Sequence, residues 1–251
     1  MNSILVSVIV FICVFGGAML GLYLRAALPE PHLSGDSRDA VKIGMALVAT
    51  MAAIVLGLLV SSAKSSYDAL STEMTDLSAK IVLLDRVLEH YGPETKDCRD
   101  SLRSTLALAI DRFQSGNPNE SARLEPQVNG AESLFDKIQS LTPKNENQRL
   151  LQTRASGLAF DLLQTRWLMY EQSSGSISVS LLICLVFWLV ALFVSFGLFA
   201  PPNATVIVSF LVCALSVSAA MFLIVEMYQP YGGIIHVSSA PLHTALSHLG
   251  R

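Results

Sequence analysis

Four long apolar runs constrain the fold of this chain more than any other feature of its sequence. Residues 3–24, 41–63, 177–199 and 204–225 each contain about 20 or more apolar and small residues, the length at which a helix crosses roughly 30 Å of hydrocarbon. Two runs come first and two come last, with a polar insertion between them. The sequence therefore predicts an all-α integral membrane protein, with four transmembrane helices in a 2+2 order and a central extramembrane helical bundle.

The runs divide the chain into four expected segments. Residues 1–63 hold the first two spans, 64–176 form the insertion, 177–225 hold the third and fourth spans, and 226–251 form a tail. An even number of spans places the insertion and both termini on one side of the membrane. Cys98 is the only cysteine in the insertion, and a lone cysteine without a disulfide favours the cytoplasm. We therefore expect an inner (plasma) membrane protein with a cytoplasmic insertion.

Charge and motif content exclude several classes of function. The formal net charge is −3 and the charges are mixed, so no nucleic-acid-binding surface is indicated. The sequence contains no nucleophile elbow, Walker loop, dinucleotide fingerprint or metalloprotease helix. We therefore expect no enzyme activity, no cofactor and no bound metal.

The second apolar run is expected to continue as a helix far into the insertion. No proline occurs between Asp39 and Tyr91. Further amphipathic stretches follow at residues 93–113, at 131–141, and from 144 toward 170, so the insertion is expected to form an antiparallel helical bundle. Its first helix carries apolar residues at alternating spacings of four and three, a heptad seam that must meet another helix: Leu70, Met74, Leu77, Ile81, Leu84 and Leu88.

Two glycines at the end of the first run have the spacing of a helix-packing motif. Gly17 and Gly21 form a G-x-x-x-G pair, which allows a second helix backbone to approach closely. The alternative is that glycine is simply tolerated at these positions of a membrane helix.

Small and weakly polar residues recur along the second span at helical spacing. They are Ala46, Thr50, Ala53, Gly57 and Ser61, called the small-residue stripe below. Such a stripe either packs against a close neighbour or, in a ring of subunits, lines a narrow pore. The residues alone leave both interpretations open.

Charged residues at the membrane edge suggest an ion-selective mouth. Lys64 and Asp68 follow the second span at i and i+4, and Glu226 ends the fourth span. Rings of charge at a constriction favour counter-ions. The alternative is an interfacial salt bridge in which the lysine extends toward the headgroups.

Six stretches spread over nearly the whole chain carry a resemblance to a known family. They are FGGAMLGLYLR at 15–25, VKIGMALVATMAAIVLGLLVSSAKSSYD at 41–68, DRVLEHYGPET at 85–95, LLQTRW at 162–167, FGLFAPPNATV at 196–206 and SSAPL at 238–242. Through them the chain resembles the bestrophin-like membrane proteins of bacteria, a family catalogued as a domain of unknown function. The resemblance implies the same 2+2 arrangement of spans and, by distant analogy, an oligomeric anion channel.

Two functions from different classes stay open at this point. The first is a homo-oligomeric channel for small ions, with the second span lining the pore and the helical bundle forming a vestibule or gate. The second is a non-conducting membrane scaffold or sensor whose helical domain binds a partner. The heptad seam would favour the scaffold if it paired between subunits. Membrane lipids and further copies of the chain are expected partners in either case.

Overall fold

Helices form all of the regular structure that we describe. The computed structural model describes residues 2–29, 35–114, 128–173, 179–228, 234–235 and 237–250. Within these ranges the α-helices are α1 (Ser3–Ala27), α2 (Gly35–Tyr91), α3 (Lys96–Gln114), α4 (Val128–Gln139), α5 (Glu146–Ser173), α6 (Val179–Phe199), α7 (Ala204–Met227) and α8 (Ala240–His248). A single 3-10 turn, Pro93–Thr95, precedes α3. The prediction of an all-α chain is confirmed for this part of the molecule.

The four apolar runs coincide with four helices. By length and composition, α1, α2, α6 and α7 are each apolar enough to cross a membrane. The predicted continuation of the second run is also confirmed, because α2 is one helix of 57 residues. It ends at Tyr91 and is followed by Gly92, whose φ of 130° lies in the region that favours glycine. Thr95 then closes the turn by donating its hydroxyl hydrogen to the Leu88 and Gly92 carbonyl oxygens, 2.6 and 2.8 Å away.

The chain divides into two compact units. The first contains α1, the part of α2 up to Ser65, α6 and α7. In this unit α1 packs against both α6 and α7. The α1–α7 contact includes a buried hydrogen bond of 2.7 Å, which the Ser218 hydroxyl donates to the Ser7 carbonyl oxygen. At the other end of α1, Arg25 donates to the Ala200 carbonyl oxygen just after α6.

The second unit contains the rest of α2 together with α3, α4, α5 and α8. The heptad seam of α2 lies in its core, where Met74, Leu84 and Leu88 are at most 1% exposed. The residues that fill this core come from α3, α4 and α5 of the same chain, among them Leu102, Ile138 and Ala155. The seam is therefore covered by the chain's own helices.

The end of the chain joins the second unit. Its helix α8, within residues 226–251, packs into the core formed by the insertion. Leu242, Ala245 and Leu249 are each less than 5% exposed and lie on one face of the helix and its end. Burial of these apolar side chains is the main force that holds a helix of only nine residues in place.

Candidate functional site

The small-residue stripe lies on the exposed side of α2. Ala46, Thr50, Ala53, Gly57 and Ser61 are all exposed. A Cβ atom added to Gly57 would meet no other atom within 4 Å. Among the residues that the structure describes, therefore, the stripe does not form the close helix contact that one of its two interpretations requires.

The opposite side of α2 packs into the first unit. Ala52, Leu59 and Ala63 are at most 5% exposed and belong to the same core as the buried residues of α1, α6 and α7. Gly57 and Leu59 are two residues apart, which is about 200° around a helix. The helix thus has a packed side and, nearly opposite, the stripe.

Burial along α2 is lower than along the other three apolar helices. In its most apolar 18-residue window 11% of the residues are buried, compared with 33%, 28% and 22% in α1, α6 and α7. Large apolar side chains flank the stripe, and Leu47, Ile54 and Leu58 are each more than half exposed. The exposed side of α2 is therefore an apolar surface with a strip of small residues along its middle.

Two hydroxyl groups on or beside the stripe, those of Thr50 and Ser62, have hydrogen-bond partners within the chain. The Thr50 hydroxyl donates to the Ala46 carbonyl oxygen, 2.9 Å away on the preceding turn. The hydroxyl oxygens of Ser62 and Tyr228 lie 2.9 Å apart, which ties α2 to the end of α7. Neither bond occupies the open side at Gly57.

The three residues of the predicted ion mouth lie in different surroundings. Lys64 and Asp68 are exposed on α2, whereas Glu226 in the last turn of α7 is fully buried. Lys64 and Glu226 belong to the first unit and Asp68 to the second. Glu226 is therefore the buried member of the three, at the end of an apolar helix.

The glycine pair on α1 lies against α6. A Cβ atom on Gly17 would come within 3.2 Å of Val190 Cγ1. On Gly21 it would overlap the Val194 carbonyl oxygen and lie 2.9 Å from Gly197 Cα. Gly197 is the reciprocal position, because a Cβ there would overlap the Ala18 carbonyl oxygen. The G-x-x-x-G pattern of the first run does not identify Gly197, although a glycine in an otherwise bulky apolar run is an available signal.

A buried ion pair in the second unit was also missed from the sequence. Asp85 is only 2% exposed, and both of its carboxylate oxygens accept hydrogen bonds from Arg99, at 2.7 and 2.9 Å. This forked geometry is the strong form of an arginine–carboxylate pair, and it raises the pKa of the Arg99 guanidinium. The Gly250 backbone N–H points at the same carboxylate from 3.4 Å. By sequence alone Asp85 is one of several charged residues beside the heptad seam.

A second ion pair lies near the turn that follows α2. Lys144 Nζ donates to Glu94 Oε1 at 2.6 Å, which lowers the pKa of the Glu94 carboxyl and raises that of the Lys144 ammonium. Both side chains are solvent-accessible, so the pair adds little to stability. Burial raises the pKa of the neighbouring Tyr91 hydroxyl, and burial likewise raises the pKa of the Cys98 thiol. Cys98 is therefore a core residue held as a thiol, which is the unreactive form.

Clusters of side chains that could bind a metal ion are absent from the part of the chain that the structure describes. No cluster of three or more histidine, cysteine, aspartate or glutamate side chains occurs there. All four cysteines are free thiols, and three of them lie in apolar helices.

Comparison with known proteins connects this arrangement to a family. The family model described as the bestrophin-like domain matches residues 12–242, which is most of the chain. This chain belongs to the bestrophin-like family. The resemblance seen in the sequence is thereby confirmed. In this bestrophin-like chain the match begins within α1, covers α2 to α7 in full and ends at the start of α8.

A further similarity to known proteins covers only part of the chain. An 81-residue stretch of the bestrophin-like chain is 27% identical to the kinesin heavy chain isoform 5A of Homo sapiens, and the protein of that name from Pongo abelii matches equally. The stretch is 32% of this chain and only 8% of the length of each kinesin. No solved structure matches the chain.

Proposed function

We propose that the chain is an integral membrane protein that assembles into a homo-oligomeric channel for small ions, with α2 lining the pore. The observation that carries the proposal is the exposure of the small-residue stripe on the side of α2 opposite its packed side. Family membership agrees with this, because bestrophin-like proteins are associated with channels rather than enzymes. The inner membrane is the proposed location, with the insertion and both termini in the cytoplasm.

The physical reason is that an apolar helix with small residues on its open side suits a crowded or narrow environment. Between helices in a membrane, association depends on close packing and on hydrogen bonds rather than on the hydrophobic effect. Small side chains that face lipid contribute little to either. Around a central axis, in contrast, small and hydroxyl-bearing side chains leave room for a narrow conduit and offer oxygen atoms to a passing ion.

The alternative function, a non-conducting scaffold or sensor, has less support. A heptad seam that pairs between subunits would favour the scaffold. That seam is covered by α3, α4 and α5 of the same chain. The exposed stripe therefore remains as the surface through which copies of the chain would meet.

At the edge of the proposed pore, Lys64 and Asp68 are candidates for an ion-selective mouth. Both are exposed and lie one helical turn apart on α2. In a ring of subunits each would repeat around the axis, so the lysines would form a positive ring and the aspartates a negative ring. A ring of one charge attracts ions of the opposite charge. Glu226, which is buried, would in this proposal support the mouth from within each subunit.

Mass and current measurements on one preparation test the proposal. The protein would be purified in mild detergent, its oligomeric mass determined by light scattering, and the same sample reconstituted for planar bilayer recording. We expect a defined ring-forming oligomer that conducts. A homogeneous monomer or dimer that stays silent in the bilayer would contradict the channel.

The Gly57→Leu substitution tests the assignment of the pore-lining face. The added side chain has open space around it in one chain, so the thermal unfolding midpoint should stay unchanged. In the oligomer it would fill the narrow conduit, and we expect unitary conductance to fall by at least about tenfold, a barrier increase of about 1.4 kcal/mol. Gly44→Leu is the matched control, because Gly44 also has open space but lies about 140° around the helix from Gly57. Equal conductance in the two variants would exclude the stripe as the pore lining.

Charge reversal at Lys64 tests the proposed mouth. In Lys64→Glu a ring of positive charge becomes negative, so the reversal potential under a salt gradient should move toward that of a cation-selective pore. Lys64→Arg keeps the charge and serves as the control, with an unchanged reversal potential. If Lys64→Glu also leaves the reversal potential unchanged, Lys64 is not a selectivity residue.

A further inference from the structure

A cleft in the second unit is lined by more cationic than acidic side chains among the described residues. It has a volume of about 410 Å³ and lies between the amino-terminal part of α3 and the end of α8. Five charged side chains line it: Lys96, Arg99, Asp100, Arg103 and Asp85. All of its described lining residues belong to the same unit.

Three of the cationic side chains share one face of α3. Lys96, Arg99 and Arg103 are spaced by three and four residues, the spacing that places side chains next to each other on a helix. Lys96 and Arg103 are exposed, whereas Arg99 is partly buried between them. The face thus presents three positive charges in succession along the cleft.

Only the middle cation is neutralised by a direct bond. Asp85 is buried and accepts hydrogen bonds from Arg99 Nε and Nη2 and, at 3.4 Å, from the Gly250 backbone N–H. Among the residues that the structure describes, Lys96 and Arg103 form no salt bridge. Asp100 is the second carboxylate of the cleft, and it leaves one positive charge in excess.

The end of α8 completes the cleft on the other side. Gly250 adopts a φ of 82°, a conformation that favours glycine. In this conformation its N–H points at Asp85, and a Cβ atom on it would lie 3.4 Å from Arg103 Nη1. The backbone therefore approaches the guanidinium closely without covering it, since Arg103 remains exposed.

We propose that this cleft binds the phosphate group of a small phosphorylated molecule, held by Lys96 and Arg103. Arginine offers a planar fork of donors and lysine a compact point charge, and both are common phosphate ligands. The positive end of the α3 dipole adds to their field. Asp100 disfavours a ligand with more negative charge than the two cations can balance.

The size of the cleft indicates more than a bare ion. A water molecule in the liquid takes about 30 Å³, so the volume of the cleft corresponds to roughly a dozen water molecules. A phosphate group would occupy only part of it. The remaining space, beside Leu249 and the Gly92–Pro93 turn, suits a short organic group such as a glycerol or sugar.

Binding to the full-length protein in detergent tests this proposal independently of ion conduction. Titration calorimetry at constant ionic strength would use three probes: inorganic phosphate, glycerol 3-phosphate and dioctanoyl phosphatidic acid. We expect saturable binding of at least one probe. The Lys96→Gln/Arg103→Gln double variant should bind it at least about tenfold more weakly, since two charge-assisted hydrogen bonds are lost. Asp100→Asn should bind more tightly than the native protein, because a like charge is removed from the cleft.

Matched variants separate specific binding from folding and from general charge. Arg154→Gln removes one exposed positive charge from α5, away from the cleft lining, and should bind like the native protein. The substituted cleft residues are exposed, so unfolding midpoints without ligand should agree among all variants. Tighter binding of glycerol 3-phosphate than of phosphatidic acid would assign a soluble ligand, and the reverse order a lipid headgroup. Equal affinity of the double variant and the native protein, or no saturable binding of any probe, would overturn the proposal.

Discussion

Replacing Leu84 with aspartate is expected to unfold the second unit. Leu84 is fully buried at the centre of the heptad seam of α2. Truncating a core leucine costs about 2–5 kcal/mol, and an unpaired buried charge adds a penalty of similar size. The total approaches the whole stability of a typical domain, which is about 5–15 kcal/mol. Loss of the cooperative transition in thermal or denaturant unfolding, followed by circular dichroism, is the measurement.

The neighbouring residue offers a matched control for this substitution. Leu83 is on the same helix but 45% exposed, so Leu83→Asp places the same charge in contact with solvent. We expect a change of less than about 1 kcal/mol, as is usual for surface substitutions. Leu77→Asp should fall between the two, because Leu77 is partly buried against the same core. A native-like transition in Leu84→Asp would show that the seam is not the core of this unit.

The Gly21→Leu substitution is expected to separate α1 from α6 in the first unit. Even the first atom of the new side chain would overlap the Val194 carbonyl oxygen and lie 2.8 Å from the Leu198 backbone nitrogen. These are backbone atoms, which cannot rotate away as a side chain can. We therefore expect a loss above the usual overpacking cost of about 1–3 kcal/mol. Thermal unfolding in mild detergent, with the yield of monodisperse protein, measures it.

Gly16→Leu is the control for the helix contact. Gly16 lies on the same helix, is exposed, and has nothing within 4 Å of an added Cβ atom. Its substitution introduces the same leucine and removes the same glycine, but without a backbone in its path. We expect a native unfolding midpoint for Gly16→Leu. Similar midpoints in the two variants would argue against a close α1–α6 contact at Gly21.

Much of the secondary structure follows from local patterns in the sequence. The four apolar runs predict the four long apolar helices, since their length and composition are visible without a partner. The absence of proline from Asp39 to Tyr91 and the 4-3 spacing of apolar residues predict that α2 continues beyond its apolar part. These properties depend on residues within a few positions of one another.

Local patterns do not predict which charged residues are buried. Asp85 lies beside the heptad seam, where a solvated charge is the ordinary interpretation. Its burial depends on Arg99, which reaches it from α3 after a glycine turn. A carboxylate can leave water only where a partner compensates its lost hydration. The position of that partner is a property of how α2 and α3 pack.

The sequence likewise predicts only part of the candidate functional site. The sequence predicts a small-residue stripe on α2 and a glycine pair on α1, because both are periodic patterns on single helices. It does not show that the stripe faces away from the first unit, nor that Gly197 meets Gly21 from α6. The two glycines are far apart along the chain, and no local periodicity relates them.

The sequence by itself determined the helical class of this protein, the lengths of its apolar helices, the seam of α2 and its family. Only the tertiary structure decided which side of α2 is packed, which glycines meet, and which cation along α3 is paired with a buried carboxylate. The physical reason is the separation along the chain between the residues that interact. Helix formation and amphipathic periodicity depend on neighbours within a few turns, whereas burial and charge neutralisation depend on side chains that packing brings together from distant parts of the chain.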